Sequence, residues 1–396
     1  MARTSSQPKI SPRDLQRWRL IEGFRKTLRR VAKKYGLHPT FSHPDRLLNY
    51  DDYLCLFLFG LLNPVVRTMR GLCEASHLPR VQASICTRAV SLGSFSETQH
   101  LLEVGLLEKV FSDLSQEVSG QPTCQDQRLN RRPWSAHDGS LFSALPRMAW
   151  ALYGGGRNGD GHGVKLHLSF HLLEDKPLKA TIRPGKECER AVWQEHWQEG
   201  AAFVGDRYFG EDYRLLTKLK LKGCAYVVRL REQAIINVEQ ELAVTEADRK
   251  AGVVRQVWAR LGATWRTLSV PLRVVWVKAE GRELILITNL SAEELPAELV
   301  SVLYRKRWQV ELFFRWIKCI LGCRHWLAES PQGVAIQIYL ALIAALLLQL
   351  YTGQRPTRRM MELIQFYLLG VATLSDLTAG LEREFQRLAT KNKNRV

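Results

Sequence analysis

Two acidic residues lie in or directly after apolar segments that read as β-strands. Asp138 falls in the first of these segments, followed by Gly139, and Asp206 ends the run Ala-Ala-Phe-Val-Gly-Asp. A buried carboxylate is costly unless a cation or hydrogen bonds compensate it, and ligands usually bind at the carboxyl edge of an open α/β sheet. The two acids therefore indicate a cation-binding edge, although Asp206 could instead cap the helix that follows.

A third acid belongs to the run YRKRWQVELFFRWIK, which has helical periodicity. Tyr304, Arg307, Glu311 and Lys318 share one stripe of that helix, because they follow one another at intervals of three, four and seven residues. A stripe that combines a hydroxyl, a guanidinium, a carboxylate and an ammonium among large apolar side chains favours a functional surface. The alternative is an amphipathic helix in which Arg307 and Glu311 form an ordinary surface pair.

The spacing of these four residues resembles the Tyr-Arg-Glu-Lys motif of the insertion-sequence-4-type DDE transposases. Three further segments add to the resemblance, namely Asp138-Gly139-Ser140, Gly205-Asp206-Arg207 and Thr288-Asn289. The likeness covers about residues 130 to 350 and implies a ribonuclease-H-like catalytic core. One departure is Tyr208, which stands where many relatives have glycine.

The resemblance implies a catalytic triad of Asp138, Asp206 and Glu311 that binds two Mg²⁺ ions, for which Mn²⁺ can substitute. Asp138 would contact both ions, and Asp206 and Glu311 would each hold one of them. Carboxylate oxygens are ligands that Mg²⁺ prefers, and two such ions can stabilise both the attacking and the leaving oxygen of a phosphodiester displacement. The expected chemistry is therefore hydrolysis and transesterification of DNA strands.

The resemblance assigns a second set of residues to the DNA backbone. Arg307 and Lys318 would bind phosphates of the transposon end beside the scissile bond, and Tyr304 would hydrogen-bond to the same backbone. Arg207, directly after the second acid, is a further candidate for binding DNA. Contacts of this kind position the reacting group and carry no sequence information directly.

The activity implied by the resemblance is cut-and-paste transposition at terminal inverted repeats, followed by strand transfer into target DNA. A homodimer that bridges two DNA ends is expected with it. One alternative is a ribonuclease-H-like nuclease that cleaves without strand transfer. The other is a domesticated DNA-binding protein, which is disfavoured because all three acids and the complete motif are present.

The composition favours a polyanionic partner. Lys and Arg outnumber Asp and Glu by 57 to 39, which gives a formal net charge of +18, and the pI is about 9.7. Cationic side chains that neutralise phosphates release counterions, so such a surplus promotes binding to nucleic acid. Residues 1–50 hold 12 basic and 3 acidic side chains, and a basic amphipathic helix is predicted from Pro12 to Tyr35.

The sequence gives no sign of a disulfide framework, a zinc site or a secretory signal. Its eight cysteines lack paired spacing, and no second ligand pair accompanies Cys319, Cys323 and His325. The apolar stretch from Gly333 to Tyr351 contains two glutamines and is expected to be a buried helix. These features predict a cytoplasmic, nucleoid-associated protein of the bacterial type.

The fold expected to position these residues is α/β, with four regions along the chain. These are a helical, basic DNA-binding region at 1–130, a ribonuclease-H-like core with a mixed sheet at 131–231 and 283–330, a β-rich insertion at 232–282, and C-terminal helices at 331–396. Alternating strands and helices in the core predict a mixed sheet covered by helices.

Several elements within these regions can be predicted individually. Helices expected at 53–62, 65–75 and 82–92 allow a helix-turn-helix, and one continuous helix at 297–321 would carry the Tyr-Arg-Glu-Lys stripe. In the insertion, Trp265 and Trp276 are candidates for a wedge that holds a flipped base, with a place in the core as the alternative.

Overall fold

A ten-stranded mixed β-sheet lies at the centre of the fold, with helices packed against it. The structure is a computed structural model, and it describes residues 19–36, 48–118, 126–153, 161–262, 271–279, 281–320 and 326–393. Trp265, Cys323 and His325 lie outside the described residues.

In the described residues, six helices precede the sheet: α1 (Arg19–Lys34), α2 (Tyr50–Leu62), α3 (Met69–Ser76), α4 (Pro79–Ser84), α5 (Leu92–Leu101) and α6 (Val104–Glu117). The apolar stripe predicted for α1 is fully buried at Ile21, Phe24 and Leu28. The stripe packs on α2 and α6, so the first helix is part of the core.

The pair α3 and α4 is joined by two residues, His77 and Leu78. The single helix predicted at 82–92 is wrong, because α4 ends at Ser84 and a new helix begins at Leu92. Ser91 caps that new helix by accepting a hydrogen bond from the Ser94 amide, and serine at an N-cap competes with continuation of a helix through it.

Four antiparallel strands and two parallel ones form the first part of the sheet. They are β1 (Trp134–Ser143), β2 (Leu152–Tyr153), β3 (Gly161–His171), β4 (Lys176–Pro184), β5 (Ala202–Gly205) and β6 (Ala225–Arg229). β3 pairs antiparallel with β1, β2 and β4, whereas β5 runs parallel to both β1 and β6. The order β4-β3-β1-β5-β6 confirms the expected ribonuclease-H-like mixed sheet.

Short helices cover this part of the sheet: α7 (Glu189–Glu195), α8 (Arg207–Gly210) and α9 (Tyr213–Leu221). All four residues of β5 are buried. A strand buried on both faces is a continuous apolar run, as expected of a central parallel strand. The polar side chain that follows this run, Asp206, therefore emerges at the carboxyl edge of the sheet.

The β-rich stretch extends the same sheet. Its strands are β7 (Ile236–Leu242), β8 (Val253–Leu261), β9 (Leu272–Ala279) and β10 (Arg282–Thr288), with α10 (Glu246–Lys250) between β7 and β8. β10 pairs antiparallel with β6, and β9, β8 and β7 follow outward in that order. This antiparallel meander is thus continuous with the core sheet through hydrogen bonds.

Five helices complete the described part of the chain: α11 (Ala297–Lys306), α12 (Trp308–Ile320), α13 (Pro331–Thr352), α14 (Arg358–Leu368) and α15 (Leu374–Lys393). α13 is long and apolar enough to cross a membrane by length and composition, but 89% of its apolar window is buried inside the fold. It packs on α6, α2 and α5, so the expected buried helix is confirmed.

Candidate active site

The first two acids lie on neighbouring parallel strands at the same height. Ala136 of β1 is paired with Val204 of β5, and Asp138 and Asp206 each come two residues later along the chain. Parallel pairing therefore brings the two carboxylates to one edge of the sheet. Asp206 also caps α8, since its Oδ1 accepts from the Tyr208 amide at 2.9 Å, so the capping role considered for it is present as well.

Arg307 connects the first acid with the third. Its Nη2 donates to Oε1 of Glu311 at 2.8 Å, and its Nη1 lies 3.8 Å from Oδ2 of Asp138. The Arg307 side chain is 13% exposed, and the two carboxylate side chains are 23% and 29% exposed. The Arg307–Glu311 pair is therefore largely withdrawn from solvent and part of a site, unlike an ordinary surface pair.

The motif helix is interrupted at Arg307, beside these contacts. The helix predicted at 297–321 is present as two segments, α11 and α12, separated by the single residue Arg307, whose backbone is itself helical. Two tight hydrogen bonds surround the break, from the Arg307 amide to the Tyr304 carbonyl and from the Val310 amide to the Arg307 carbonyl, both at 3.2 Å. Bonds between residues three apart tighten the turn, and the sequence contains no proline or glycine there to signal it.

Burial raises the pKa of Asp138 to about 7. The guanidinium of Arg307 lowers that pKa, whereas the negative charges of Glu189 and Asp206 raise it further. A nearby positive charge therefore stabilises the ionised form of this carboxyl group, as a bound metal ion would.

Glu189 and Lys165 also belong to the site, although the sequence reasoning did not single them out. Lys165 Nζ lies 2.6 Å from Oε1 of Glu189. A Cβ atom on Gly139 would lie 2.7 Å from that same oxygen and 2.8 Å from Cε of Lys165. The space beside Gly139 is thus filled by this ion pair, whose flexible ends a side chain at position 139 would have to displace.

These two residues could have been found only in part from the sequence. Lys165 lies on β3 opposite Leu141 of β1, a pairing that strand alternation cannot specify without the register. Glu189 opens α7 after a turn, and an acid at the first turn of a helix is common for electrostatic reasons alone.

The remaining predicted residues lie around this centre. Tyr304 is half-buried in α11, where burial raises the pKa of its phenol and Arg229 of β6 forms a hydrogen bond with it. The ammonium of Lys318 lies 5.4 Å from the ring centre of Phe142, near the end of β1. Arg207 is exposed in α8, with no ion-pair partner among the described residues.

Trp276 does not line this site. Its indole is 9% exposed in β9, and the guanidinium carbon of Arg255 lies 4.9 Å from its ring centre. The interpretation of Trp276 as a core residue, covered by one arginine, is the one that its burial favours.

The donor chemistry of the site fits a hard divalent cation, since the three acids offer carboxylate oxygens. Positive charge already lies between two of them, in the guanidinium of Arg307. As the side chains stand, no three His, Cys, Asp or Glu residues in the described parts of the chain form a group that could hold a metal ion. The acids are thus gathered at one edge without being closed around a single point.

Comparison with known proteins identifies the family. Residues 130–347, more than half of the chain, match the family model described as the transposase DDE domain. The chain is 27% identical over 262 residues to the y4zB protein of Sinorhizobium fredii, which is named as a transposase; the match covers 65% of this chain and 71% of that protein. It is 24% identical over 269 residues to a Synechocystis protein named as a transposase for insertion sequence element IS4SA, covering 66% and 72%.

A solved structure titled as the piggyBac transposase synaptic complex with hairpin DNA matches 93% of this chain and 77% of its own. Its TM-score of 0.42 and sequence identity of 9% are too low to carry an argument.

A ribonuclease-H-like sheet with acids gathered at its carboxyl edge defines a nuclease-type catalytic domain. The chain belongs to the DDE transposase family, and its function is DNA transposition. The family match favours transposition over the two alternatives considered from the sequence.

Proposed function

We propose that the protein cuts and rejoins DNA strands with Asp138, Asp206 and Glu311 as its catalytic acids, in cut-and-paste transposition at terminal inverted repeats. The observation that carries the proposal is the contact of Arg307 with both Asp138 and Glu311. Two acids from distant parts of the chain share one cation there, and parallel pairing of β1 with β5 brings the third alongside.

Asp138, Asp206 and Glu311 would together hold Mg²⁺ or Mn²⁺, two ions per active site. When bound, such ions lower the pKa of the attacking water and stabilise the leaving oxygen of the displaced strand. The three acids would be ionised in that state, and the raised pKa of Asp138 means that its proton leaves near neutral pH.

The cations around the acids would bind the DNA backbone. Arg307 can turn from its carboxylate partners toward a phosphate, since a guanidinium recognises both groups by the same forked geometry. Lys318 beside the end of β1 and Arg207 at the start of α8 would bind neighbouring phosphates. The Tyr304 hydroxyl, which burial keeps protonated, would donate to the same backbone.

Recognition of the transposon end would use the helical region at 1–130, through the α3–α4 hairpin. Four basic residues of α1 are paired with acids of other helices: Arg25 with Asp51 and Asp52, Arg29 with Asp51, Arg30 with Glu117, and Lys34 with Asp113. By contrast, four arginines in or beside the hairpin are exposed and have no ion-pair partner among the described residues: Arg67, Arg70, Arg80 and Arg88. These four residues, named the hairpin arginines, offer phosphates unpaired charge.

The remaining parts of the proposal follow from this chemistry. A homodimer on DNA would bring two transposon ends together, and the meander formed by residues 232–282 would act as an insertion into the catalytic core. The protein would work in the bacterial cytoplasm, at the nucleoid, where its substrate is.

The test is cleavage of a labelled duplex carrying the element's terminal repeat, with Mg²⁺, read on denaturing gels. Asp138→Asn, Asp206→Asn and Glu311→Gln should each reduce cleavage by at least about 100-fold while duplex binding persists. Glu246→Gln changes an exposed acid of α10 and is the matched control. Near-normal cleavage by any of the three variants would remove that residue from the triad, and joined products separate a transposase from a plain nuclease.

A further inference from the structure

Another ion pair lies close to the catalytic acids and has no part in the chemistry proposed above. Arg355 follows the end of α13, and its Nη1 lies 3.0 Å from Oδ1 of Asp175 in the turn between β3 and β4. The two side chains are 15% and 16% exposed. Such a pair costs desolvation, and replacing it by apolar groups is often neutral, so its presence calls for a reason beyond stability.

The same nitrogen of Arg355 reaches the helix that carries Glu311. It donates to the Gln309 carbonyl at 3.1 Å and to Oε1 of the Gln309 side chain at 2.9 Å. Gln309 lies in the first turn of α12, between Arg307 and Glu311. Arg355 therefore holds the turn that begins directly after the helix break.

The other end of the contact is itself fixed. Asp175 has a φ of +57°. This left-handed conformation is unfavourable for any residue other than glycine, and it persists where the surrounding structure holds it. Gln349 of α13 donates to the carbonyl oxygens of Glu174 and Asp175 at 3.2 and 3.3 Å. Burial raises the pKa of Asp175, whereas Arg355 and Lys306 lower it.

We propose that Arg355 is a positioning residue that sets the direction of Glu311 by tying the first turn of α12 to the β3–β4 turn. The inference rests on the proposed role of Glu311 as a metal ligand. It follows because Arg355 donates to both the carbonyl and the side-chain oxygen of Gln309, two residues before Glu311, and so fixes the turn that carries Glu311. Its ion pair with Asp175 ties that turn to the end of β3, the strand paired with β1 and so with Asp138.

The prediction concerns metal binding without DNA. Mn²⁺ binding to the full-length protein is measured from the electron paramagnetic resonance signal of free Mn²⁺. Arg355→Ala should weaken binding by about 10-fold, the lower end of what loss of an orienting partner costs a metal site. Gln309→Leu keeps the ion pair and loses the side-chain acceptor, so a smaller loss in the same direction is expected. Arg355→Lys should recover part of the affinity.

Arg358→Ala is the control, because Arg358 lies three residues further along and forms an exposed pair with Glu362. It should bind Mn²⁺ like the unchanged protein. Thermal unfolding of each variant separates positioning from folding, and Gln309→Leu and Arg355→Lys decide the matter if Arg355→Ala does not fold. Unchanged Mn²⁺ affinity in Arg355→Ala, or in Gln309→Leu where Arg355→Ala does not fold, would overturn the inference whatever the melting temperature. Failure of the unchanged protein to bind Mn²⁺ or cleave DNA would instead overturn the proposed metal-dependent function.

Discussion

The guanidinium of Arg307 can pair either with carboxylates or with phosphates. In this structure it lies against Glu311 and Asp138, and on a DNA end it would face phosphate. Both are anions that accept parallel hydrogen bonds. Without DNA, the guanidinium compensates acids whose mutual repulsion would otherwise have to be screened by water. The residue thus favours a gathered arrangement of the acids before any substrate arrives.

Two substitutions should move the pKa of Asp138 in opposite directions, and a third should leave it unchanged. Arg307→Ala removes a charge that lowers it and should raise the pKa above about 7. Glu189→Gln removes a charge that raises it and should lower the pKa. Lys318→Ala should leave it unchanged, because Lys318 lies beside Phe142 and is not among the groups that shift it.

The measurement for these variants is the Mn²⁺ association constant of the DNA-free protein as a function of pH. Protons compete with the metal below the pKa of a ligand, so the constant rises with pH and levels off above that pKa. The pH of levelling should be highest for Arg307→Ala and lowest for Glu189→Gln. An identical profile in all three would mean that Asp138 does not limit metal binding.

At the residue scale the sequence predicts the acids of the candidate site but not the complete set of their partners. Asp138, Asp206, Arg307 and Glu311 could be predicted because their types and spacing are unusual and match a known motif. Glu189 could not, since its position beside Asp138 depends on how α7 packs on the sheet.

At the scale of elements, the basic face of helix α1 is covered by acids that lie far away in the sequence. In the sequence its basic face has few acids nearby, and it reads as a surface for nucleic acid. In the fold, acids of α2 and α6 meet that face; Asp51 and Asp52 are buried beside Arg25. Local charge balance cannot reveal pairing between residues that are distant in the chain.

The break in the motif helix has the same origin. Residues 297–320 have continuous helical periodicity, and nothing in the local sequence ends a helix at Lys306. Arg307 contacts Asp138 across the fold as well as Glu311 one turn along the helix, and Arg355 contacts Gln309 directly after the interruption. Tertiary contacts of this kind override local propensity, so the existence of the helix was predictable and its interruption was not.

Substitutions in two elements should separate DNA binding from folding. Arg70→Gln combined with Arg80→Gln removes two hairpin arginines and should weaken end-duplex binding. The slope of log K against log salt should become shallower by about 0.9 for each phosphate that the variant no longer neutralises. Melting temperature should be unchanged, because both side chains are exposed.

Arg25→Gln is the contrasting variant for this test. Its guanidinium donates to Asp51 and Asp52 at 3.0 and 2.6 Å, so the substitution removes a cation from both buried acids and leaves Asp51 with Arg29 and Asp52 with the Thr87 hydroxyl. It should cost about 3 kcal/mol of unfolding free energy, measured by urea denaturation, with the salt slope unaltered. A reduced salt slope in Arg25→Gln and a normal one in the double variant would return the DNA surface to α1.

At the scale of the whole molecule, buried histidines make folding sensitive to acid, and three of them lie together. His137, His167 and His196 are 3%, 0% and 8% exposed. Burial lowers the pKa of His167 to about 3 and of His196 to about 4, and it lowers the pKa of His137 well below its usual value. The unfolded chain binds these protons from about pH 6.5 downward whereas the folded chain does not.

The folded protein should therefore lose stability as the pH drops below about 6.5, and the loss should continue to about pH 4. His167→Leu should flatten the fall, because neither ring nitrogen of His167 has a hydrogen-bond partner among the described residues. His77→Leu changes an exposed histidine and is the control. The free energy of unfolding is measured by urea denaturation at about pH 7.5 and about pH 5. If it fell equally between these pH values in His167→Leu and in the unchanged protein, the prediction would be contradicted.

The N-terminal and C-terminal helices share one hydrophobic core, which bears on whether residues 1–130 can act alone. Helix α13 is buried against α6, α2 and α5. Its Tyr339 ring lies 6.1 Å from that of Phe111, and its hydroxyl donates to Glu108 at 3.2 Å. The helices before the sheet thus depend on an element more than 200 residues later for much of their buried surface.

A fragment ending near Arg132 should therefore not fold as an independent unit. Without α13 it exposes the apolar faces of α2 and α6, a contiguous patch of the kind that drives aggregation. We expect no cooperative thermal transition by circular dichroism and strong binding of a hydrophobic dye, whereas the full chain should unfold cooperatively. Leu342→Ala in the full chain, which truncates a fully buried residue of α13, should lower stability by about 2–5 kcal/mol. A fragment that melted cooperatively and bound the terminal repeat would instead show that residues 1–130 are a separate DNA-binding domain, and the shared core would then be an interface between two units.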